Sequence, residues 1–227
     1  MDFSARNKKV ALARWGKVLA REKASIPKTD DALRKKAALC GFLAGDGSVY
    51  ATRLGEKLLY RICFFPDDAY MLSTYCELTK KLYGKLPHVN KKDGAYFDAR
   101  ITSRNMYEDI CSVATFGIAA WTPPWSLFST SGAREAWLRG FFSAEAYVGP
   151  KQIKIQTVNA RGMRDVSVLL AEVGIEHRCY TYTPKNKNHS VVHIVFINKI
   201  DARKRFAEKI GFWHAKKTAA LKKSLSL

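Results

Sequence analysis

Leu39-Cys40-Gly41-Phe42-Leu43-Ala44-Gly45-Asp46-Gly47 is an apolar, small-residue run that closes on a single carboxylate. A surface helix carries polar residues along one side. This stretch is apolar or small nearly all round until Asp46, which places it inside the molecule with the acid at its end. The pattern returns as Leu138-Arg139-Gly140-Phe141-Phe142-Ser143-Ala144-Glu145-Ala146, with small residues at matching places and a carboxylate again at the eighth position. The two acids lie 145 − 46 = 99 residues apart, so the chain reads as two similar halves with one acid from each at their seam.

The 227 residues, 47% of them hydrophobic, suffice for two units of that size with a buried core. Lys and Arg number 39 against 20 Asp and Glu, a formal net charge of +19. That excess is more than solubility requires and points to a polyanionic partner, of which nucleic acid is the commonest; a generally basic surface is the plain alternative. Cys40, Cys63, Cys76, Cys111 and Cys179 are odd in number, scattered and without zinc spacing, and read as reduced thiols of an intracellular protein. Neither a signal peptide nor an 18-residue apolar span is evident, so no membrane partner is expected; the chain is placed in the cytoplasm or nucleoid, or in an organelle of a eukaryote.

Residues 1–28 read as a basic helical extension, an arm for phosphates or a brace on the first half. Residues 29–118 form the first repeat. Thr29, Asp30 or Asp31 caps its motif helix, and strands follow at 48–53 and 58–65. Pro66-Asp67-Asp68 caps a helix to Gly84, and further strands at 85–90 and 95–102 are joined by a turn at Lys91-Lys92-Asp93-Gly94. Ser103 starts a helix that runs to about Gly117. Residues 119–130, with Trp121, Pro123, Pro124 and Trp125, make a poor helix or strand and serve as linker. Residues 131–227 repeat the order: a helix capped by Thr130 or Ser131, a strand or hairpin at 147–157, a helix capped by Asn159, strands at 176–183 and 190–197, a helix at 201–210 and a basic tail helix at 214–225. The fold expected is α+β, two pseudo-symmetric αββαββα repeats each with a four-stranded antiparallel sheet.

Alternate residues of a sheet covered on one face point to the other, open face. Gln152, Lys154 and Gln156 oppose Ile153 and Ile155; Arg61 opposes Tyr60 and Ile62; Arg100 and Asp98 oppose Ala99 and Ile101; Arg178 shares a face with Tyr180 and Tyr182. Arg, Lys and Gln on an open face are side chains suited to base edges in a major groove, although an ordinary solvated face alternates in the same way. Arg53 and Lys151 extend the basic set. The five histidines do not cluster; His193 is placed on the open face and assigned no role.

Gly41-Phe42-Leu43-Ala44-Gly45-Asp46-Gly47 and Leu138 to Ala146, in register and each followed by strand, strand and helix, resemble the two motifs of a single-chain LAGLIDADG homing endonuclease. The resemblance covers about residues 31 to 225 and includes Phe206-Ala207-Glu208-Lys209-Ile210-Gly211-Phe212 followed by Lys216-Lys217 and Leu221. It implies that the motif helices pack at a pseudo-twofold interface made by Gly41, Ala44, Gly140 and Phe141, beneath a DNA-binding saddle formed by the two sheets. It further implies that Asp46 and Glu145, with Gly45 and Ala144 beside them, hold Mg²⁺, for which Mn²⁺ can substitute. The function implied is metal-dependent cleavage of both strands of a long, non-palindromic double-stranded DNA target by a monomer, from an intron-encoded protein whose own intron RNA is a second partner.

Two departures from the family pattern stand out. Ala146 replaces a usual Gly, and Phe64-Phe65-Pro66 and Thr157-Val158-Asn159 carry no Lys where the family often has one; Lys151, Lys154, Arg53 and Arg61 are the residues left to take that place. Ser143 stands where an acid is common. These departures motivate a second reading, a non-cleaving binder on the same scaffold that acts as an RNA maturase or a DNA-binding regulator. A third is an unrelated basic α+β protein whose two motifs are only core helices.

Overall fold

The computed structural model describes residues 3–91, 96–186 and 188–226. In chain order the elements are α1 (Phe3–Ala24), α2 (Asp30–Gly45), β1 (Gly47–Leu54), β2 (Lys57–Phe64), α3 (Ala69–Tyr83), β3 (His88–Lys91), β4 (Phe97–Thr102), α4 (Arg104–Cys111), α5 (Ala133–Glu145), β5 (Tyr147–Gly149), β6 (Gln152–Thr157), α6 (Ala160–Glu172), β7 (Arg178–Tyr182), β8 (Val192–Ile197), α7 (Ile200–Lys209) and α8 (Ala215–Leu225). The strands form two four-stranded antiparallel sheets of matching order, β1-β2-β4-β3 and β5-β6-β8-β7. The expected αββαββα duplication is therefore present, with α1 and α8 added outside it.

Local chemistry sets most of the boundaries. Thr29 caps α2 by accepting from Ala32 N–H, and the Asp68 carboxylate accepts from Tyr70 and Met71 N–H at the start of α3. Gly84, in the left-handed region at φ 64°, closes α3. Ser103 and Asn159 cap α4 and α6 as expected.

Two expectations need correction, and a third is not tested. The cap of α5 is Gly132, at φ 77° and without a side-chain bond, while Thr130 offers only its carbonyl to Ala133 N–H. Helix α4 stops at Cys111 rather than near Gly117, because residues 115–122 close on themselves: Thr122 N–H donates to Thr115 O at 3.1 Å and Thr115 N–H to Thr122 Oγ1 at 3.0 Å. The turn expected at residues 91–94 lies, beyond Lys91, outside the described residues.

The linker is more than a tether. Trp121 is buried, its ring 4.7 Å from that of Phe141, and its carbonyl accepts from Asn159 Nδ2 at 2.7 Å. Helix α1 is braced on the first repeat, since Asn105 Nδ2 donates to Leu19 O at 2.9 Å and to Glu22 Oε2 at 3.0 Å. Beneath both sheets runs one apolar core centred on α2 and α5, including Leu39, Phe42, Trp137 and Phe142. Among the described residues no helix is long and apolar enough to cross a membrane.

Candidate active site and nucleic-acid surface

The site is built by the crossing of α2 and α5, which pack along their length. A methyl group on Gly41 would lie 2.2 Å from Trp137 O and 2.9 Å from Phe141 N; one on Gly140 would lie 2.5 Å from Ala38 O and 3.0 Å from Phe42 N. The helices thus touch backbone to backbone, an approach only glycine permits. One turn on, a methyl on Gly45 would lie 2.5 Å from Ala144 Cβ and 3.2 Å from Glu145 Cγ, so the seam persists to the acids. Ala44 is buried in it. Phe141 meets Gly41 through its backbone N, and its ring stacks on Trp137 at 5.1 Å and meets Trp121.

Asp46 follows the last residue of α2, and Glu145 is the last residue of α5. Burial raises the Asp46 carboxyl to about 6, opposed by the Lys217 charge and reinforced by Asp67. Glu145 rises to about 7, chiefly because protein atoms crowd its carboxyl and secondly through the charge of Asp46, with Lys217 opposing. Glu145 still reaches solvent, in a pocket bordered by Gly45, Ile118, Trp121 and Gln156. Two neighbouring carboxylates that resist ionisation without a cation are the donor set Mg²⁺ accepts, since it is commonly held by one or two carboxylates plus water and phosphate oxygens. Among the described residues no cluster of three or more His, Cys, Asp or Glu offers an alternative metal site.

Sequence reasoning missed the basic partner of these acids. Lys217, from α8, donates from Nζ to Ser143 O at 2.7 Å and to Ala144 O at 2.6 Å. It reaches the centre because the start of α8 is clamped. Ala215 N–H donates to Asp68 Oδ2 at 3.1 Å, His214 Nε2 lies 3.2 Å from Asp67 Oδ1, and His214 Nδ1 accepts from Lys217 N–H at 3.4 Å. His214 is buried, and burial first and the Lys217 charge second lower its pKa. The missing strand lysines are thus matched by a lysine from a tail helix, and the Ala144 carbonyl, expected beside a metal, already accepts an ammonium. The signal available was the phase of the tail: Lys217 shares a face with buried Leu221 and Ser224, four and seven residues on.

Ala146 proves harmless. It sits at φ −77° and ψ 139°, ordinary extended backbone, whereas a methyl on Gly47 would lie 2.4 Å from Leu43 Cα. The chain turns back on its helix after Asp46 but leaves straight after Glu145. Ser143 takes a structural place, its buried Oγ accepting from Trp213 N–H at 2.7 Å.

Directly paired residues of antiparallel strands share a face, so register assigns the sheet surfaces. Lys154 pairs with Tyr147 and Phe196, Phe196 with Arg178, Gln156 with Ile194, and Ile194 with Tyr180; Gln152, Lys154, Gln156, Arg178 and Tyr180 therefore share the open face of the second sheet, opposite buried Ile153 and Ile155. In the first sheet Arg61 pairs with Tyr50 and Thr102, and Arg100 with Cys63 and His88, all on the open face. Arg100 is aimed by Asp98, whose buried carboxylate accepts from its Nε at 2.7 Å. Arg53, paired with Leu58, falls instead on the opposite face, at the exposed far end of the β1–β2 hairpin. Lys151 is exposed in the β5–β6 turn. His193 is also corrected: it pairs with Thr157 and Thr181 on the helix-covered face, Nδ1 3.2 Å from Thr181 Oγ1.

Comparison with known proteins agrees with this architecture. Residues 133–211 match the family model described as LAGLIDADG-like domain. A DNA polymerase of Thermococcus sp. (strain GE8) is 35% identical over 98 residues, 40% of this chain and 6% of the polymerase; that of Thermococcus litoralis is 36% identical over 84 residues, 34% of this chain and 5% of the polymerase. The chain thus spans only a small part of these relatives. A structure of variants of the homing endonuclease I-DmoI superposes with a TM-score of 0.64 at 18% identity, covering 79% of this chain and 96% of that one. I-DmoI in complex with DNA and Mn gives 0.60 at 18%, covering 79% and 97%. Full-length DUF199/WhiA from Thermatoga maritima gives 0.54 at 14%, covering 92% and 64%. At these identities the likeness to solved structures is one of fold. With both motif helices at one seam and two matching sheets, the chain has the fold of these solved structures, and its second half, residues 133–211, matches the LAGLIDADG-like domain.

Proposed function

We propose that this protein is a site-specific double-strand DNA endonuclease that uses Mg²⁺ or Mn²⁺ to hydrolyse one phosphodiester in each strand of a non-palindromic target. The observation that carries the reading is the delivery of Asp46 and Glu145 to one point by glycine-mediated crossing of two helices, with Arg61, Arg100, Lys154, Gln156 and Arg178 on the open faces of the flanking sheets. Asp46 and Glu145 are the groups that would hold the metal, which supplies an activated water and a counter-charge for the leaving oxyanion. The chain's own contribution is placement: the seam fixes the acids, the sheet residues fix the duplex by phosphate and base contacts, and the glycine contacts forbid slippage between halves. One chain supplies both acids, so a monomer suffices and the two half-sites need not be alike. An intracellular location follows from a DNA substrate.

The test is selection of cleaved molecules from a randomised duplex library with Mg²⁺, followed by assay of Asp46→Asn and Glu145→Gln on the recovered target. Both variants should bind and fail to cut. Binding without cutting by the wild type would leave the non-cleaving regulator or maturase reading in its place. Equal cutting by the variants would remove these acids from the mechanism. The two grounds for a non-cleaving protein, Ala146 and the absent strand lysines, are weakened by the relaxed backbone at Ala146 and the position of Lys217.

A further inference from the structure

We propose that Lys217 is a built-in cation of the second motif, holding the carbonyl end of α5 and the acid pair in the DNA-free protein and opposing divalent-metal binding there until phosphates add negative charge. The proposal rests on the reading of Asp46 and Glu145 as metal ligands.

The geometry is that of an ion site already filled. The last carbonyls of a helix carry the negative end of its dipole and lack intrahelical partners, so a cation is stabilised there. Lys217 Nζ takes two of them, Ser143 O at 2.7 Å and Ala144 O at 2.6 Å. The charges of Asp46, Asp67, Glu145 and Asp68 all favour its ammonium, while its hydrogen bonds go to the two carbonyls. It is not a loose surface side chain, because His214, Asp67 and Asp68 fix the first turn of α8, and Arg203 Nη1 donates to Ser224 O at 2.8 Å at the helix's other end. With both acids ionised, Asp46, Glu145 and Lys217 sum to one negative charge. A divalent ion approaching the pair meets the positive charge of Lys217, which already acts on both carboxyls. A bound duplex supplies the missing negative charge as phosphate, so the metal site becomes favourable only with nucleic acid in place.

The proposal is testable without a DNA target, by titrating Mn²⁺ into DNA-free protein near neutral pH and following free Mn²⁺ by electron paramagnetic resonance. Lys217→Met removes the charge at nearly constant length; Lys217→Gln removes it but keeps donors for the two carbonyls, so one variant remains informative if the other fails to fold. Either should tighten Mn²⁺ binding about tenfold or more, the scale of one charge–charge term between neighbouring groups, while Lys217→Arg should leave it weak. Asp46→Asn combined with either should abolish the gain. Unchanged or weaker binding in both Lys217→Met and Lys217→Gln overturns the role of Lys217, and if Asp46→Asn alone still lowers Mn²⁺ binding, the metal-ligand reading survives that failure. A gain that persists with Asp46→Asn places the ion elsewhere and overturns both.

Discussion

The α-carbon of Gly41 faces the carbonyl of Trp137 so closely that a methyl group there would stand 2.2 Å from the oxygen. Both atoms belong to helix backbone, so neither can swing aside. Gly41→Ala must push α2 and α5 apart, and we expect a loss of about 2–3 kcal/mol, the range of overpacking in a tight core. Gly140→Ala, 2.5 Å from Ala38 O, should behave alike. Chemical denaturation measures both, and a change under about 0.5 kcal/mol, the scale of ordinary surface substitutions, would contradict the rigid seam.

Metal-free protein should lose stability as pH rises from about 4 to about 7. The Asp46 carboxyl is raised from 3.8 to about 6 and Glu145 from 4.5 to about 7. A carboxyl with a folded pKa above its unfolded value favours the fold while protonated, and that contribution disappears as pH climbs through the folded pKa. For half-buried Asp46 the loss is about 1–2 kcal/mol after allowance for solvent screening. Thermal melts at several pH values should show the decline, Asp46→Asn should flatten it, and millimolar Mg²⁺ should reverse part of it at pH 8 by binding the folded state.

Asp68 serves two helices with one carboxylate, Oδ1 toward Tyr70 and Met71 N–H and Oδ2 toward Ala215 N–H. Asp68→Ala should therefore cost more than a single cap, about 2 kcal/mol against the usual 1. It should also raise hydrogen exchange in α8 as well as α3. Protection lost from α3 alone would mean that the clamp on the tail helix is not set by this residue.

On a selected DNA target, Arg178→Ala or Lys154→Ala should weaken binding by about 1–3 kcal/mol if the side chain reads a base, and specificity should relax at the position read. Arg53→Ala, on the other face of its hairpin, should have a smaller effect. Affinity of the wild type should fall steeply with salt concentration in proportion to the phosphates contacted. Binding profiles from a mismatch series distinguish these cases.

The repeat was legible because its signals are local. Alternation marked the second sheet's open face at every residue singled out there except His193, and Thr29, Asp68, Ser103 and Asn159 each announced a helix by side-chain chemistry. Gly41 and Gly140, named with Ala44 through the family resemblance, mark a close helix crossing, and Gly45 joins them only in the structure. What escaped depends on tertiary contact. Gly132 caps α5 through a left-handed backbone that Thr130 and Ser131 disguise. Trp121 looks like loop and is core. Lys217 is one lysine among many in a basic tail, and only the docking of α8 on Asp67 and Asp68, some 150 residues earlier, distinguishes it.

Helix α8 follows both repeats in the chain, and this order governs how the protein is made. A nascent chain still held by the ribosome can present Asp46 and Glu145 on folded repeats before His214 and Lys217 have emerged. The centre is therefore completed only by a segment synthesised after both repeats.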